Sequence, residues 1–526
     1  MEFNKKQRIF LSISTGILLF GGWTQTSWQV LILFGFVPLL LVEHFFCINK
    51  DHYKSYHFFL HSYLSFFVWN ALSTWWIMKA TIVGAILAIA FNAFFMAVVA
   101  YVFHIVKRNT STKIGYIFFV LGWLTFEYIH YNWELSWTWM TLGNGLSEQI
   151  PFIQWFEFTG VLGGSLLILL TNVILTVIFI QWIIDAYVKR IIIVLLALIV
   201  IIPTSISILM FYNYNDKGRP IDVLIVQPNI DPYNEKFEKL TEEQQLNKFL
   251  KLASSNIKPE TKYIIGPETA LPQGIWEEDF DIHPHINILK DFARKYQVSF
   301  IVGASTFKMF NYKISSVARK YDNNKYYEAY NTALQIDSNN VQVYHKSKLV
   351  LGVEKMPFPK ILFFLEDLAL ELGGTSGSLG TQEKPSIFYG KSKVVPAICY
   401  ESVYGEFLSI AINKGAEWIA VITNDGWWGD TPGYKQHLSY SRLRAIEFRK
   451  SIARCANTGI SAIINQKGEI VESTNWWKPE TIGNKIYANE IKTFYAQWGD
   501  YIGRLASLLT LLMIISLIVR KIIQKK

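Results

Sequence analysis

The stretch 394–401 reads VVPAICYE, and its pattern indicates the fold class of the C-terminal half of the chain. Its apolar run Val394–Ile398 predicts a short buried β-strand, and Cys399 follows this strand directly. Similar runs recur on both sides and alternate with helical segments. The other predicted strands cover residues 221–227, 263–265, 298–303, Trp418–Thr423 and 461–465. This alternation predicts an α/β domain with a layered sheet, whose reactive side chains lie at the C-terminal ends of strands.

Side chains of reactive types lie just beyond the ends of three predicted strands, at 263–265, 341–344 and 394–398: Glu268, Lys346 and Cys399. A nucleophilic thiol needs a base to take its proton and a cation to hold developing negative charge, and a carboxylate with an ammonium group supplies both. Taken singly, a cysteine after a strand is more often a core residue, and a Glu or Lys at the start of a loop is usually solvated. The combination of the three predicts a nucleophilic site.

The chain contains two further cysteines. Cys47 lies in an apolar run and is interpreted as an inert core thiol. Cys399 and Cys455 could pair in principle, but a cysteine that serves as a nucleophile argues against a disulfide, and no disulfide framework is predicted.

Composition separates the N-terminal part of the chain from the rest. Of 526 residues, 51% are hydrophobic and 17% are charged, whereas soluble domains contain about 25% charged residues. The net charge of +9 does not indicate a nucleic-acid-binding protein, because many basic residues lie in short loops between apolar runs.

The apolar runs predict membrane-spanning helices, each of which needs about 20 residues. The first run is interpreted as a retained span and not as a signal peptide, because it lacks a small-residue cleavage site and another span follows it closely. Eight spans are predicted, at about 9–24, 28–47, 57–78, 80–106, 114–130, 161–184, 191–212 and 501–519.

The loop charges predict the orientation of these spans, because basic loops stay on the cytoplasmic side. Basic residues precede the first span and follow the second, fourth, sixth and last, while the other loops carry few or none. The pattern predicts seven spans in residues 1–215, an outer catalytic domain in 216–498 and a return span in 499–526. The predicted fold is thus an extracytoplasmic α/β domain on an all-α transmembrane bundle.

Several motifs resemble the nitrilase superfamily, whose signature is a Glu–Lys–Cys triad in that chain order. Over nearly the full length, topology included, the chain resembles the apolipoprotein N-acyltransferase family. The motifs that carry the resemblance are GPETALP (266–272), YHKSKLV (344–350), ICYE (398–401), NDGWWG (424–429) and the long stretch 437–461.

The resemblance implies an αββα sandwich and a role for each matching residue. Glu268 would be the general base, Lys346 would stabilise the tetrahedral oxyanion, and Cys399 would be the nucleophile that accepts the acyl group. Further matches to functional residues of the family are Glu354, Tyr400 and Glu401.

The sequence departs from the family pattern in the loops that surround the triad. Lys348 stands where the family usually has His, residues 350–354 read VLGVE where VPFGE is usual, and Lys236-Phe237 replaces an expected Lys-Trp. No triad member is lost, so the departures concern the lid and the lipid preference and not the chemistry.

The resemblance also implies the reaction and its place in the cell. Cys399 would attack a membrane phospholipid, and the resulting thioester would acylate the α-amine of the S-diacylglyceryl cysteine of an apolipoprotein, in a ping-pong sequence. The expected location is the bacterial inner membrane, with the catalytic domain in the periplasm. No cofactor is expected, and no His/Cys cluster has metal-ligand spacing.

Two alternatives remain open from the sequence. A membrane-anchored nitrilase-type amidohydrolase would use the same triad and pass the acyl group to water, and a lipid-binding scaffold would not use it at all. The Trp-rich segment 133–155 and the apolar stretch 356–372 favour a lipid substrate. The stretch 356–372 is expected to be either a buried core helix or a lid that dips into the outer leaflet.

Overall fold

The computed structural model describes residues 2–236, 239–322, 324–355 and 378–524, and the chain divides into two compact units. The helical unit contains residues 1–78, 82–213 and 498–526. The α/β unit contains residues 79–81 and 214–497.

The helical unit contains α-helices and short 3₁₀ segments in its described part. Polar side chains tie neighbouring helices together: Asn92 Nδ2 donates to Asn70 Oδ1 at 2.7 Å, and Glu43 accepts from both His104 and Lys107. The helices are α1 Lys5–Phe20, α2 Val37–Ile48, α3 Tyr56–Thr74, α4 Ile82–Asn109, α5 Thr112–Asn132, α6 Phe156–Asp185, α7 Arg190–Asn213 and the C-terminal helix Tyr501–Ile523.

Among the described residues, five segments are long and apolar enough to cross a membrane: Ser27–Ile48, Ile82–Asn109, Phe156–Asp185, Arg190–Asn213 and Tyr501–Ile523. The segment Ser27–Ile48 combines a 3₁₀ stretch with α2. The remaining three of the eight predicted spans correspond to α1, α3 and α5. Helix α1 has only 16 residues, and polar side chains such as Asn70 in α3 and Glu127 in α5 lower the hydropathy of the other two. The count of eight spans therefore stays a prediction.

Helix α7 shows why the helical unit needs an apolar environment. Only 6% of its most apolar 18-residue window is buried within the protein, so nearly all of its Ile, Leu and Val side chains face outward. Exposed apolar surface of this extent is not tolerated by a soluble monomer and marks a membrane or a partner.

Among its described residues, the α/β unit contains two β-sheets. The first has eight strands in the order β13-β1-β2-β4-β6-β5, with β3 paired to β4 and β7 to β6, and the second has the order β12-β11-β10-β9-β8. The strands are β1 Arg219–Gln227, β2 Thr261–Ile265, β3 Leu271–Trp276, β4 Ser299–Phe310, β5 Arg319–Lys320, β6 Tyr326–Ile336, β7 Val341–His345, β8 Val394–Ile398, β9 Trp418–Thr423, β10 Ile452–Ala456, β11 Ala462–Ile464, β12 Ile470–Ser473 and β13 Glu480–Ala488.

The two sheets pack face to face, and helices cover their outer faces. Ile265 and Ile301 of the first sheet share a buried core with Trp418 and Ile422 of the second. The covering helices are α8 Glu242–Asn256 and α9 Pro284–Tyr296 on the first sheet, α10 Gly405–Asn413 and α11 Pro432–Phe448 beside the second, and the short α12 Phe494–Trp498. Because β8 and β9 are buried on both faces, their sequences are continuous apolar runs. The predicted α-β-β-α sandwich is confirmed.

Strand direction brings the reactive segments to common edges. β1, β2 and β4 are parallel, and β7 points the same way because it is antiparallel to β6, which is itself antiparallel to β4. β8, β9 and β10 are likewise parallel. The C-terminal ends of β2 and β7 therefore lie at one edge of the first sheet, and those of β8 and β9 lie at one edge of the second.

Candidate active site

Glu268 stands three residues beyond the end of β2, in a tightly packed turn. A Cβ atom added to Gly303 of the neighbouring strand β4 would lie 2.6 Å from the Cα atom of Glu268, so only glycine allows this approach. The next residue, Thr269, has a φ of 49°. Lys236 Nζ donates to the carbonyl oxygen of Glu268 at 3.1 Å. The Glu268 backbone is thus held from two sides.

Lys346 follows β7 directly, and its main-chain N–H donates to the carbonyl oxygen of Asn331 at 2.8 Å. Its Nζ lies 3.0 Å from Glu268 Oε1 and 2.9 Å from Glu354 Oε1. Burial alone would lower the pKa of Lys346, but the charges of Glu268 and Glu354 outweigh it and hold the pKa well above its usual range. The ammonium group is therefore charged at neutral pH and stands between two carboxylates.

Cys399 follows β8 directly and begins a 3₁₀ turn that covers Cys399–Val403. Its φ is 51°, in the left-handed region that non-glycine residues rarely adopt. Burial, and then the negative charge of Glu268, raises the pKa of the Cys399 thiol well above its usual range, while Lys346 acts in the opposite direction. The thiol is therefore protonated at rest and close enough to Glu268 and Lys346 to be influenced by both charges.

The structure brings Glu354 into the same cluster, because its Oε1 contacts Lys346 while its Oε2 accepts the N–H of Val350 at 2.9 Å. Glu401 is fully buried beneath the turn. It accepts from the hydroxyl of Tyr344 at 2.6 Å and from the N–H groups of Ser347 and Ile398 at 2.6 and 2.8 Å. Glu401 thus joins the strand that precedes Lys346 to the strand that precedes Cys399.

Tyr400 is also buried, and its ring packs against Tyr404 with the ring centroids 5.2 Å apart. Tyr400 therefore lies next to Cys399 in the turn that follows β8.

Sequence reasoning missed Asn331, a residue of β6. Its Nδ2 lies 2.7 Å from Glu268 Oε1 and 2.9 Å from Glu354 Oε1, the two oxygens that Lys346 contacts. Its Oδ1 is buried without a hydrogen-bond partner among the described residues. Because Glu328, Thr332 and Gln335 are also polar residues of this strand, the sequence gives no signal that singles out Asn331.

The structure describes some of the residues at which the sequence departs from the family pattern. Lys348 Nζ lies over the rings of Tyr404 and Phe407, 5.2 and 5.6 Å from their centroids. Lys236 is buried, and burial lowers its pKa to about 8, opposed by Glu268. Phe237 and the whole stretch 356–372, for which either a core helix or a lid was predicted, lie outside the described residues.

One group of side chains has the composition of a metal site. Ligand atoms of Cys399, Asp425 and His437 lie within 4.8 Å of one another. However, Arg454 Nη2 lies 2.5 Å from Asp425 Oδ2 and 3.1 Å from His437 Nδ1. A guanidinium group already supplies the positive charge at this position.

Two face-to-face sheets with a Glu–Lys–Cys cluster at their edges define a class of enzymes that act on carbon–nitrogen bonds. Residues 223–495 match the family model for carbon-nitrogen hydrolases, and the chain belongs to that family. Residues 15–174 match the model for the apolipoprotein N-acyltransferase N-terminal domain. The resemblance to the apolipoprotein N-acyltransferase family that the motifs indicated is confirmed.

Curated relatives carry the same name. The chain is 27% identical over 509 residues to the apolipoprotein N-acyltransferase of Chlorobaculum tepidum, covering 94% of this chain and 93% of the relative. It is 26% identical over 506 residues to that of Geobacter metallireducens, covering 93% and 91%.

Among solved structures, Saccharomyces cerevisiae Nit3, a member of branch 10 of the nitrilase superfamily, matches with 15% identity and a TM-score of 0.37. The match covers 54% of this chain and 96% of Nit3.

Proposed function

We propose that the protein is an apolipoprotein N-acyltransferase, which transfers an acyl chain from a membrane phospholipid to the α-amine of the S-diacylglyceryl cysteine of an apolipoprotein. The observation that carries the proposal is the position of Lys346 Nζ, 3.0 Å from Glu268 and 2.9 Å from Glu354 and within electrostatic reach of the Cys399 thiol. The match of the N-terminal part to the acyltransferase family, together with the relatives' names, supports acyl transfer over hydrolysis as the reaction.

In the first half-reaction, Glu268 takes the proton of the Cys399 thiol as the sulfur attacks the ester carbonyl of the phospholipid. Burial raises the pKa of the thiol, so a base beside the sulfur is needed to take its proton during the attack. The tetrahedral oxyanion is stabilised by the ammonium group of Lys346. The intermediate collapses to a thioester, and the lysophospholipid leaves with the proton that Glu268 returns to its oxygen.

In the second half-reaction, the α-amine of the acceptor cysteine attacks the thioester. Glu268 takes the amine proton, an amide bond forms, and the Cys399 sulfur leaves and recovers its proton. The charge of Lys346 suits oxyanion stabilisation in both halves, because Glu268 and Glu354 keep the ammonium group protonated. Glu354, Tyr400 and Glu401 support the triad from neighbouring positions.

The membrane arrangement is part of the same proposal. Residues 1–215 and 499–526 cross the bacterial inner membrane and residues 216–498 form the periplasmic catalytic domain. The outward-facing apolar side chains of α7 and the distribution of basic loops support this arrangement. Both substrates are lipid-anchored, which accounts for a catalytic domain carried on a membrane bundle.

The test is incubation of the purified protein with labelled phospholipid and a diacylated lipopeptide. Transfer of label to the lipopeptide amine is expected, with a thioester on Cys399 when phospholipid is present alone. Release of free fatty acid without transfer would favour the amidohydrolase alternative and contradict the proposal. Glu268→Gln should form no thioester, because an amide cannot accept the thiol proton.

A further inference from the structure

A buried polar network contacts the main chain of Cys399 and takes no part in the steps above. His437, on α11, lies at its centre, with Nε2 3.1 Å from the carbonyl oxygen of Cys399 and 3.0 Å from Ser402 Oγ. Ser402 Oγ donates to the same carbonyl oxygen at 2.8 Å. The carbonyl group of the nucleophile is thus contacted by two side chains from different elements.

The other side of the His437 ring is fixed by a carboxylate. Nδ1 lies 2.9 Å from Asp425 Oδ1, which also accepts from Thr423 Oγ1 at 2.7 Å. Burial would raise the pKa of Asp425, but Arg454 and His437 bring it down to about 2. Asp425 is therefore ionised and accepts from Arg454 Nη2, which also lies 3.1 Å from His437 Nδ1. Because a guanidinium group can only donate, Nδ1 accepts from it and the ring N–H is on Nε2, where it donates to the Cys399 carbonyl oxygen. Asp425 thus orients the ring through Arg454.

Ser402, His437 and Asp425 have the spacing of a Ser–His–Asp triad. The direction of the hydroxyl argues against that role, because Ser402 Oγ donates to the Cys399 carbonyl oxygen and His437 Nε2 contacts the same oxygen. The network therefore acts on the main chain of Cys399 and not on a substrate of its own.

The main chain of Cys399 has a specific need for such support. Its φ of 51° is unfavourable for a residue with a side chain, and such conformations persist only where the surroundings over-determine them. Rotation of the Cys399 backbone toward an ordinary φ would move Sγ away from Glu268 and Lys346.

We infer that His437, oriented by Asp425 and assisted by Ser402, is a positioning residue that holds the carbonyl group of Cys399 and thereby aims its sulfur at the scissile carbonyl. The inference rests on the proposed function of Cys399 as the nucleophile. A displacement of about 1 Å at a reacting atom reduces a rate by about 10²-fold, which sets the scale of the expected effect.

The experiment measures single-turnover acylation of the full-length protein by phospholipid, with the thioester quantified by intact mass. His437→Leu removes both ring contacts, and we expect the rate at saturating phospholipid to fall by about 10²-fold with the half-saturating concentration unchanged within about twofold. His437→Gln restores an N–H donor and should recover about tenfold of that loss. Ser402→Ala removes one of two carbonyl contacts and should cost roughly three- to tenfold.

The matched control is His285→Leu on α9, because His285 also contacts a carboxylate, Glu242, at 3.0 Å. Its acylation rate should stay within about twofold of the wild type. Thermal unfolding is recorded for every variant. If His437→Leu does not fold, the acylation rates of Ser402→Ala and His437→Gln relative to the wild type test the positioning role.

The outcomes distinguish a failure of the proposed function from a failure of the positioning role. Absence of any thioester in the wild type contradicts the proposed function itself. If the wild type forms the thioester and the saturating rates of His437→Gln and Ser402→Ala are unchanged, the positioning role is overturned. It is also overturned if the loss of acylation rate follows the fall in melting temperature in all variants and in the control. Labelling of Ser402 by a fluorophosphonate probe would make the network a second nucleophilic site and would also overturn it.

Discussion

Asn331 Nδ2 lies 2.7 Å from Oε1 of Glu268, the same oxygen that Lys346 Nζ contacts at 3.0 Å. Two donors thus engage Oε1, and neither of them contacts Oε2. Because a carboxylate accepts a proton most readily at an oxygen that is not already engaged, we expect Oε2 to receive the thiol proton. Asn331 and Lys346 together would set which oxygen of the base faces the nucleophile.

The first prediction follows from this arrangement. Asn331→Asp keeps the size of the side chain and replaces its donor with a carboxylate next to Glu268 and Glu354, so we expect thioester formation to slow by about 10²-fold. Single-turnover acylation measured by intact mass checks it. Gln335→Glu, an equivalent change on the same strand, is the control and should retain the acylation rate of its folded fraction. Equal rates in Asn331→Asp and the wild type would remove Asn331 from the site.

The second prediction distinguishes the two cysteines of the α/β unit. Cys399→Ala should abolish thioester formation while the protein remains folded in the membrane, because Cys399 alone of the two is close to Glu268 and Lys346. Cys455→Ala is the matched control, since Cys455 is buried with its Sγ 3.2 Å from the carbonyl oxygen of Val226. It should lose some stability and keep its activity. Acyl label on Cys455 would contradict the assignment.

The third prediction concerns alkaline pH. The pKa of Lys346 is raised because two carboxylates outweigh its burial, so its charge persists below that raised pKa and is lost only as the pH rises through it. Glu354→Gln removes one carboxylate and should move the alkaline limb of the acylation rate to lower pH. A pH–rate profile of the variant beside the wild type measures the shift. An unmoved alkaline limb would mean that Lys346 does not govern this part of the profile.

The fourth prediction tests membrane orientation. A reporter that is active only outside the cytoplasm should give signal when fused after residue 215 and none when fused after residue 526, because the basic loops are expected on the cytoplasmic side. A cytoplasm-specific reporter at the same two positions serves as the control and should give the opposite pattern. The reverse outcome would contradict the topology and, with it, the access to lipoprotein substrates.

The sequence by itself was sufficient to predict an α/β domain with a layered sheet and the position of three reactive residues beyond strand ends, and the family resemblance added the α-β-β-α arrangement. The reason is local: β8 and β9 are buried on both faces, which requires an unbroken apolar run, and the polar residue that follows such a run marks the strand end. The same local signal identified apolar helices, but three of the eight predicted spans fall on helices that are short or carry buried polar side chains, such as Asn70 and Glu127.

Only the tertiary structure decided which side chains support the cluster. Asn331 lies inside a strand and reaches Glu268, 63 positions earlier, because β6 runs antiparallel beside β4. His437 reaches the Cys399 carbonyl from a helix 38 positions later. A pattern along the chain reports whether a residue is buried, but the partner it meets there depends on strand order, register and helix packing, which bring distant segments together.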